Sequence, residues 1–221
     1  MSELVRSVSI CCALISMSAW TAISGAVTEH PSPTQVVNRL HEALLSAMHA
    51  EDLDFDARTE LLAPVIDSTF DFRTIARVIT GRYWGSLAED DKSRFIETFE
   101  RLSTATYASN FDSFSGESFA VVSEEQHNEN RRTVRTELTK SDGEAVELIY
   151  VLRSTEQGWQ IVNVIANGVS DLSLKRADYT SIIKTEGFDS LLGKLNEQIA
   201  QYANAAPRRA ATAKAHGSAG D

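Results

Sequence analysis

Both cysteines of the chain, Cys11 and Cys12, fall within its first dozen residues, and none follows. If that segment is removed, the remaining chain can form neither a disulfide framework nor a thiolate metal site, and its core is held by burial alone. Histidine is scarce too: His30, His41, His49, His127 and His216 are scattered without metal-ligand spacing. A zinc-protease helix needs two histidines four apart. Glu42 follows His41, but the fourth position on is Leu45, so His41 and His49 read as surface residues of one helix. The chain has no G-x-S-x-G, no P-loop and no dinucleotide fingerprint. Gly168-Val-Ser170-Asp171 lacks the second glycine of a nucleophile turn. No internal repeat is visible, and no cofactor is implied.

Positive charge is the next shortage, with 21 basic against 31 acidic residues and a net charge of −10. The first 26 residues are neutral and residues 207–221 carry +2, which leaves −12 on residues 27–206. A surface of that sign repels nucleic acid and disfavours broad adhesion to an anionic bilayer. The last fifteen residues, PRRAATAKAHGSAGD, hold no large apolar side chain, and their composition suggests a disordered tail.

The N-terminus has the order of an export signal: a short polar start with Arg6, an apolar run from Val8 to Ile23, then Ser24-Gly25-Ala26 with small residues before a cut after Ala26. Ser9, Ser16, Ser18 and Thr21 interrupt the run, which is short beside the roughly 20 strongly apolar residues of a membrane span. A lipoprotein signal built on Cys11 or Cys12 lacks the small residue that must precede it. Three segments are expected: a cleavable signal at 1–26, one folded domain at 27–206 and a tail at 207–221.

Within the folded part, Val36, Val37, Leu40, Leu44, Ala47 and Met48 recur at three and four, the stripe of an amphipathic helix. A second helical stretch runs from Arg58 to Ser68 past Pro64, and Asp71 can cap a third that carries Phe72, Ile75, Val78 and Ile79. Gly81-Arg-Tyr-Trp-Gly85 breaks the pattern. Ser86 and Glu89 have the spacing of a capping box opening a long helix, whose inner face is Phe95, Phe99, Leu102 and Thr106, continuing toward Tyr107 and Phe111. Past Gly116 the period falls to two. Four strands are expected at Ser118 to Ser123, Arg132 to Lys140, Ala145 to Arg153 and Trp159 to Ala166, separated by turn residues suited to hairpins. The continuous apolar runs Leu148–Leu152 and Ile161–Ala166 suggest strands covered on both faces. Two more helices follow Asn167-Gly168, at Leu174 to Lys184 and Phe188 to Asn204. Helices, an antiparallel meander and helices again make an α+β domain, with the helices packed on a strongly bent four-stranded sheet.

Such a sheet can enclose an apolar cavity beneath its helices, and apolar side chains are in surplus. Phe72, Tyr83, Trp84, Phe95, Phe99, Tyr107, Phe111, Tyr150 and Trp159 are candidates to line it, with Ile75, Ile79, Leu102, Leu152, Ile161, Val164 and Val169 from the same elements. Periodicity does not separate a pocket wall from an ordinary core. An acid/base enzyme on a cone-shaped α+β scaffold would need an inward carboxylate beside a tyrosine. Glu147 and Tyr150 are close in sequence but alternate to opposite faces of their strand. An adaptor that only bridges envelope complexes would have a filled core and no cavity.

The passage Phe70-Asp-Phe72 to Ile79, Gly81-Arg-Tyr-Trp84, Phe95, Phe99, Leu102 and Thr106-Tyr-Ala108 resembles the MlaC family, also called the toluene-tolerance family. Tyr150-Val-Leu152, Gly158-Trp159, Gly168-Val-Ser170, Arg176, Tyr179 and Gly187-Phe-Asp-Ser-Leu-Leu192 continue its order and spacing, over roughly residues 34 to 200. The resemblance implies a periplasmic lipid-binding carrier that shuttles phospholipid between an outer-membrane lipoprotein complex and an inner-membrane ABC transporter complex, not an enzyme. Where the family usually has Asp in the strand after its Trp, this chain has Asn163. The stretch 167–179 is similar to a branch associated with hopanoid biosynthesis, which leaves a rigid polycyclic lipid as an alternative cargo.

For a headgroup, Arg82 beside Tyr83-Trp84 and Arg176 after the last strand are the candidate contacts, each with a surface ion pair as its ordinary reading. Two acyl tails exposed to water would cost on the order of 20 kcal/mol at about 0.8 kcal/mol per methylene, so a carrier must hide them and hand them directly to a membrane or partner. The acidic domain favours a partner with a basic surface.

Overall fold

The computed structural model describes residues 30–50 and 52–217, with side chains through residue 205; the segment expected to be an export signal lies outside the described residues. Six helices pack on one antiparallel sheet. They are α1 (Pro33–His49), α2 (Phe55–Thr69), α3 (Phe72–Thr80), α4 (Glu89–Asn110), α5 (Asp171–Glu186) and α6 (Phe188–Gly217), and a 3-10 helix at Gly81–Ser86 joins α3 to α4. The strands are β1 (Ser118–Asn128), β2 (Arg131–Thr139), β3 (Ala145–Thr155), β4 (Gly158–Ala166) and β5 (Val169–Ser170), in the order β1-β2-β3-β4-β5. The backbone of α6 runs on as helix to Gly217, past the domain boundary at 207 that composition suggested.

The helix starts follow local chemistry. Ser32 and Gln35 form a reciprocal capping box at α1, with Pro33 at the first helical position. The side chain of Asp71 accepts the Thr74 N–H at 2.9 Å, while its own backbone N–H donates to the Ile161 carbonyl at 3.0 Å, tying the start of α3 to β4. The capping box expected at Ser86 and Glu89 does not form. The Ser86 hydroxyl donates instead to the Tyr83 carbonyl within the 3-10 helix, and α4 begins after Ala88 with Glu89, Asp90 and Asp91 in its first turn. Those three acids suit the positive end of the helix dipole.

The sheet has five strands rather than four. Asn167 (φ 47°) and Gly168 (φ 80°) make the two-residue turn that left-handed backbone permits, and the chain returns as the short β5 beside Ile165 and Ala166. Ser170 then caps α5 by accepting the Ser173 N–H. β1 is longer than its apolar alternation, extending through Glu124–His127 because pairing with β2 continues there past a bulge at Val121/Ser123. A further bulge at Val151/Leu152 interrupts the β3–β4 register; bulges of this kind bend a sheet.

The core lies between the inner sheet face and the helices, where Val134, Tyr150, Leu152 and Ile161 meet Leu40, Leu62, Ile66 and Ile79. Covering of β3 on both faces, suggested by its unbroken apolar run, is only partial: Tyr150 and Leu152 are buried, while Ile149 and Val151 are half-buried. His41 corrects the surface reading of the α1 histidines. It is 4% exposed, stacked on Phe119 at 4.0 Å between ring centres, with Nε2 2.9 Å from the Tyr150 hydroxyl. His49 is exposed, as expected. Among the described residues no helix is long and apolar enough to cross a membrane.

Candidate functional site

α4 packs chiefly on α2 and α6, whereas α5 packs on α3 and α6. Between α4 and the start of α5 this arrangement leaves a cleft of about 240 Å³, floored by α3 and β4. Its apolar wall is Phe70, Phe72, Ile75, Phe99, Leu102, Tyr107, Val162, Val164 and Leu172. Six residues singled out from sequence therefore meet in one place: Phe72, Ile75, Phe99, Leu102, Tyr107 and Val164.

The other candidates lie elsewhere. Ile79, Phe95, Tyr150, Leu152 and Ile161 are fully packed core residues outside the cleft lining. Phe111 bridges the cleft to the sheet, its ring 6.0 Å from Tyr107 and 6.2 Å from Phe119. Trp159 lies under Arg132, whose guanidinium carbon is 5.0 Å from the ring centre. Tyr83 and Trp84 are half-buried in the 3-10 helix, facing the cations of Arg82 and Lys92. Val169 on β5 is 53% exposed.

Neither candidate headgroup arginine lines the cleft. Arg82 folds over the neighbouring Tyr83, with Nη2 3.2 Å from its hydroxyl, and Arg176 reaches the Cα side of Gly81. The close approach of Thr180 and Arg176 at Gly81, together with its φ of 57°, accounts for glycine at that position.

On the polar side of the cleft, helical spacing places Thr106 inward and the sequence marks Asn163 only as a departure from the family pattern, while the charged pair is not read from sequence. Asp171 and Lys175, one turn apart on α5, form an ion pair there, joined by Ser103, Thr106, Asn110 and Asn163. The Asn163 side-chain oxygen accepts from the Ser170 hydroxyl at 3.2 Å and from the Leu172 N–H at 3.3 Å, which fixes the first turn of α5 against β4. The signal of the charged pair in the sequence is the i, i+4 spacing of Asp171 and Lys175, which occurs on any solvated helix. The Tyr107 ring is half-buried in the wall. Burial, with a smaller effect of Asp171, pushes its hydroxyl well above the usual phenol range, so it stays a neutral hydrogen-bond donor.

The acid/base constellation is not assembled at Glu147. Its carboxylate points away from Tyr150 and holds Arg135 at 2.6 Å on the outer sheet face. Among the described residues no group of three His, Cys, Asp or Glu could hold a metal ion. The cleft combines a greasy wall with a narrow polar rim, an arrangement that can take an amphiphile.

In overall fold the chain is similar to the phospholipid-binding protein from Ralstonia solanacearum, solved in complex with a phospholipid. The TM-score is 0.67 at 19% identity, covering 77% of this chain and 96% of that one. In sequence it is 24% identical over 127 residues to the intermembrane phospholipid transport system binding protein MlaC of Haemophilus influenzae, covering 56% of this chain and 59% of that protein. It is also 24% identical over 135 residues to the toluene tolerance protein ttg2D of Pseudomonas putida, covering 61% of each. The chain thus spans about three fifths of the length of these relatives. The family model for the MlaC protein matches residues 34–197, most of the described domain, and the chain belongs to the MlaC family.

Proposed function

We propose that this protein binds phospholipid and carries it through the periplasm between an outer-membrane complex and an inner-membrane ABC transporter. The observation that carries the reading is the cleft between α4 and α5, with Phe72, Phe99, Leu102 and Val164 on one side and the Asp171–Lys175 pair on the other. The phospholipid named for the Ralstonia protein of the same fold and the transport role named for the Haemophilus relative support it. The signal-like N-terminus supports a periplasmic site of action.

At about 240 Å³ the cleft is smaller than the roughly 300–1,000 Å³ of pockets for drug-sized ligands, and two acyl tails need more. Loading therefore requires α5 to move away from α4, or the rings of Phe72, Phe99 and Tyr107 to turn. Either route would have to disturb the edge-on contact of Phe99 on α4 with Tyr179 on α5, whose ring centres are 6.3 Å apart.

The test is native mass spectrometry of protein purified from the periplasm without detergent. A bound phospholipid mass is the expected result. Protein that emerges empty under gentle conditions removes the reading, and a polycyclic lipid in place of phospholipid replaces the cargo while keeping the carrier.

A further inference from the structure

The cleft is lined by one cation, Lys175, and one anion, Asp171. The domain around it carries a net negative charge, so among the residues that line this mouth that ammonium is the one group that attracts a phosphate. The two partners are not equally committed to each other. The Lys175 side chain is 28% exposed and lies against the cleft, whereas that of Asp171 is 58% exposed to water. Asp171 also occupies the first residue of α5, where the helix dipole favours a carboxylate without any lysine. Asp171 can thus release Lys175 to solvent-facing stabilisation already in place, while Lys175 has no second carboxylate within ion-pair distance among the described residues. Tyr107 adds a neutral hydroxyl to the same lining, with no hydrogen bond to any described residue.

We propose that Lys175 is the group that holds the phosphodiester of the bound lipid, exchanging Asp171 for the phosphate as the lipid enters, with the Tyr107 hydroxyl as a second donor. Asn163 is a positioning residue in this arrangement: its bonds to Ser170 and Leu172 set the first turn of α5, and with it the direction from which Lys175 enters the cleft. The inference rests on the lipid-carrier reading and adds to it a reason for discrimination. A lipid with tails but no phosphate leaves the Asp171–Lys175 pair intact and gains nothing from Lys175. A phosphate without tails gains the ammonium but none of the apolar wall.

The experiment compares wild type, Lys175→Gln and Asp171→Asn, each first delipidated, for uptake of dioleoyl phosphatidylglycerol and of dioleoylglycerol from vesicles, read by native mass spectrometry. Circular dichroism checks that each variant is folded. Wild type should favour the phospholipid. Lys175→Gln should lower phospholipid uptake about tenfold and leave the diacylglycerol unchanged, while Asp171→Asn, which frees the lysine, should raise phospholipid uptake. The proposal is overturned if Lys175→Gln leaves phospholipid uptake as it was, or lowers both lipids alike. It is also overturned if millimolar inorganic phosphate displaces the phospholipid completely, since that would make Lys175 a site for small anions only. Wild type that takes up neither lipid defeats the carrier reading itself, an outcome separate from the other three.

Discussion

Nε2 of His41 on α1 lies 2.9 Å from the hydroxyl of Tyr150 on β3, and the imidazole is stacked on Phe119 of the edge strand β1. One buried polar contact thus joins the first helix to the middle of the sheet. Burial lowers the His41 pKa from 6.5 to about 4, so the folded protein keeps a neutral imidazole that can accept from the tyrosine hydroxyl. The unfolded chain takes up its proton near pH 6.5 and the folded chain only near pH 4, so between those values the unfolded state binds more protons. Stability from this group is therefore undiminished above pH 6.5 and falls as pH drops toward 4, by about 3 kcal/mol over the whole window. His41→Gln should flatten that part of the curve. Thermal melts of both proteins at pH 7 and pH 4.5 measure it: wild type should lose more than the variant, and equal losses would show that His41 is not the sensor.

Removing the other partner tests the same contact at neutral pH. Tyr150→Phe keeps the ring but leaves the buried His41 nitrogen without its donor, which should cost about 1–3 kcal/mol. Urea unfolding should show a lower midpoint with an unchanged slope. An unchanged midpoint would mean that the imidazole finds another partner.

Part of this arrangement was legible beforehand. His41 stands four after Val37 and three before Leu44, on the apolar stripe of α1 itself, so its burial was visible in the helical period. Residue type argued for the surface, and position prevailed because Tyr150 supplies the hydrogen bond. The strand centres were legible for a similar reason: alternation at Val134, Thr136 and Leu138 marks a face that is in fact inward. The end of β1 was not, because Glu124 to Gln126 pair with β2 through their backbones while their side chains remain exposed, and periodicity records side chains only.

The cleft divides along the same line. Phe72, Phe99 and Leu102 are placed by helical spacing, but nothing in that spacing distinguishes them from Phe95, a core residue four before Phe99 on the same helix face. Asp171, Lys175 and Asn163 come together only because the Asn167-Gly168 turn doubles the chain back and starts α5 beside β4. That is tertiary information. β5 is two residues long, too short to leave any alternation.

The outer sheet face gives a prediction about chemistry. Glu147 and Arg135 form an ion pair at 2.6 Å, with both side chains 39% exposed. Pairs this accessible contribute about 0–1 kcal/mol. Glu147→Gln should leave lipid uptake unchanged and lower the melting temperature by no more than a few degrees. Loss of uptake on this substitution would mean that the outer face communicates with the cleft.

Phe95 and Leu102 separate core from cleft. The Phe95 ring is fully buried between Phe99, Tyr179 and Phe188 and lines no part of the cleft. Phe95→Ala should destabilise by about 3–5 kcal/mol through the cavity it leaves, without altering which lipid is bound by the protein that remains folded. Leu102 is also buried, but its side chain forms part of the cleft wall opposite β4. Leu102→Trp adds an indole where acyl chains would enter, so lipid uptake should fall by tenfold or more. Overpacking should cost about 1–3 kcal/mol, less than the Phe95 truncation. Native mass spectrometry beside urea unfolding distinguishes the two. Retention of normal lipid uptake by a folded Leu102→Trp protein would place the acyl chains outside this cleft.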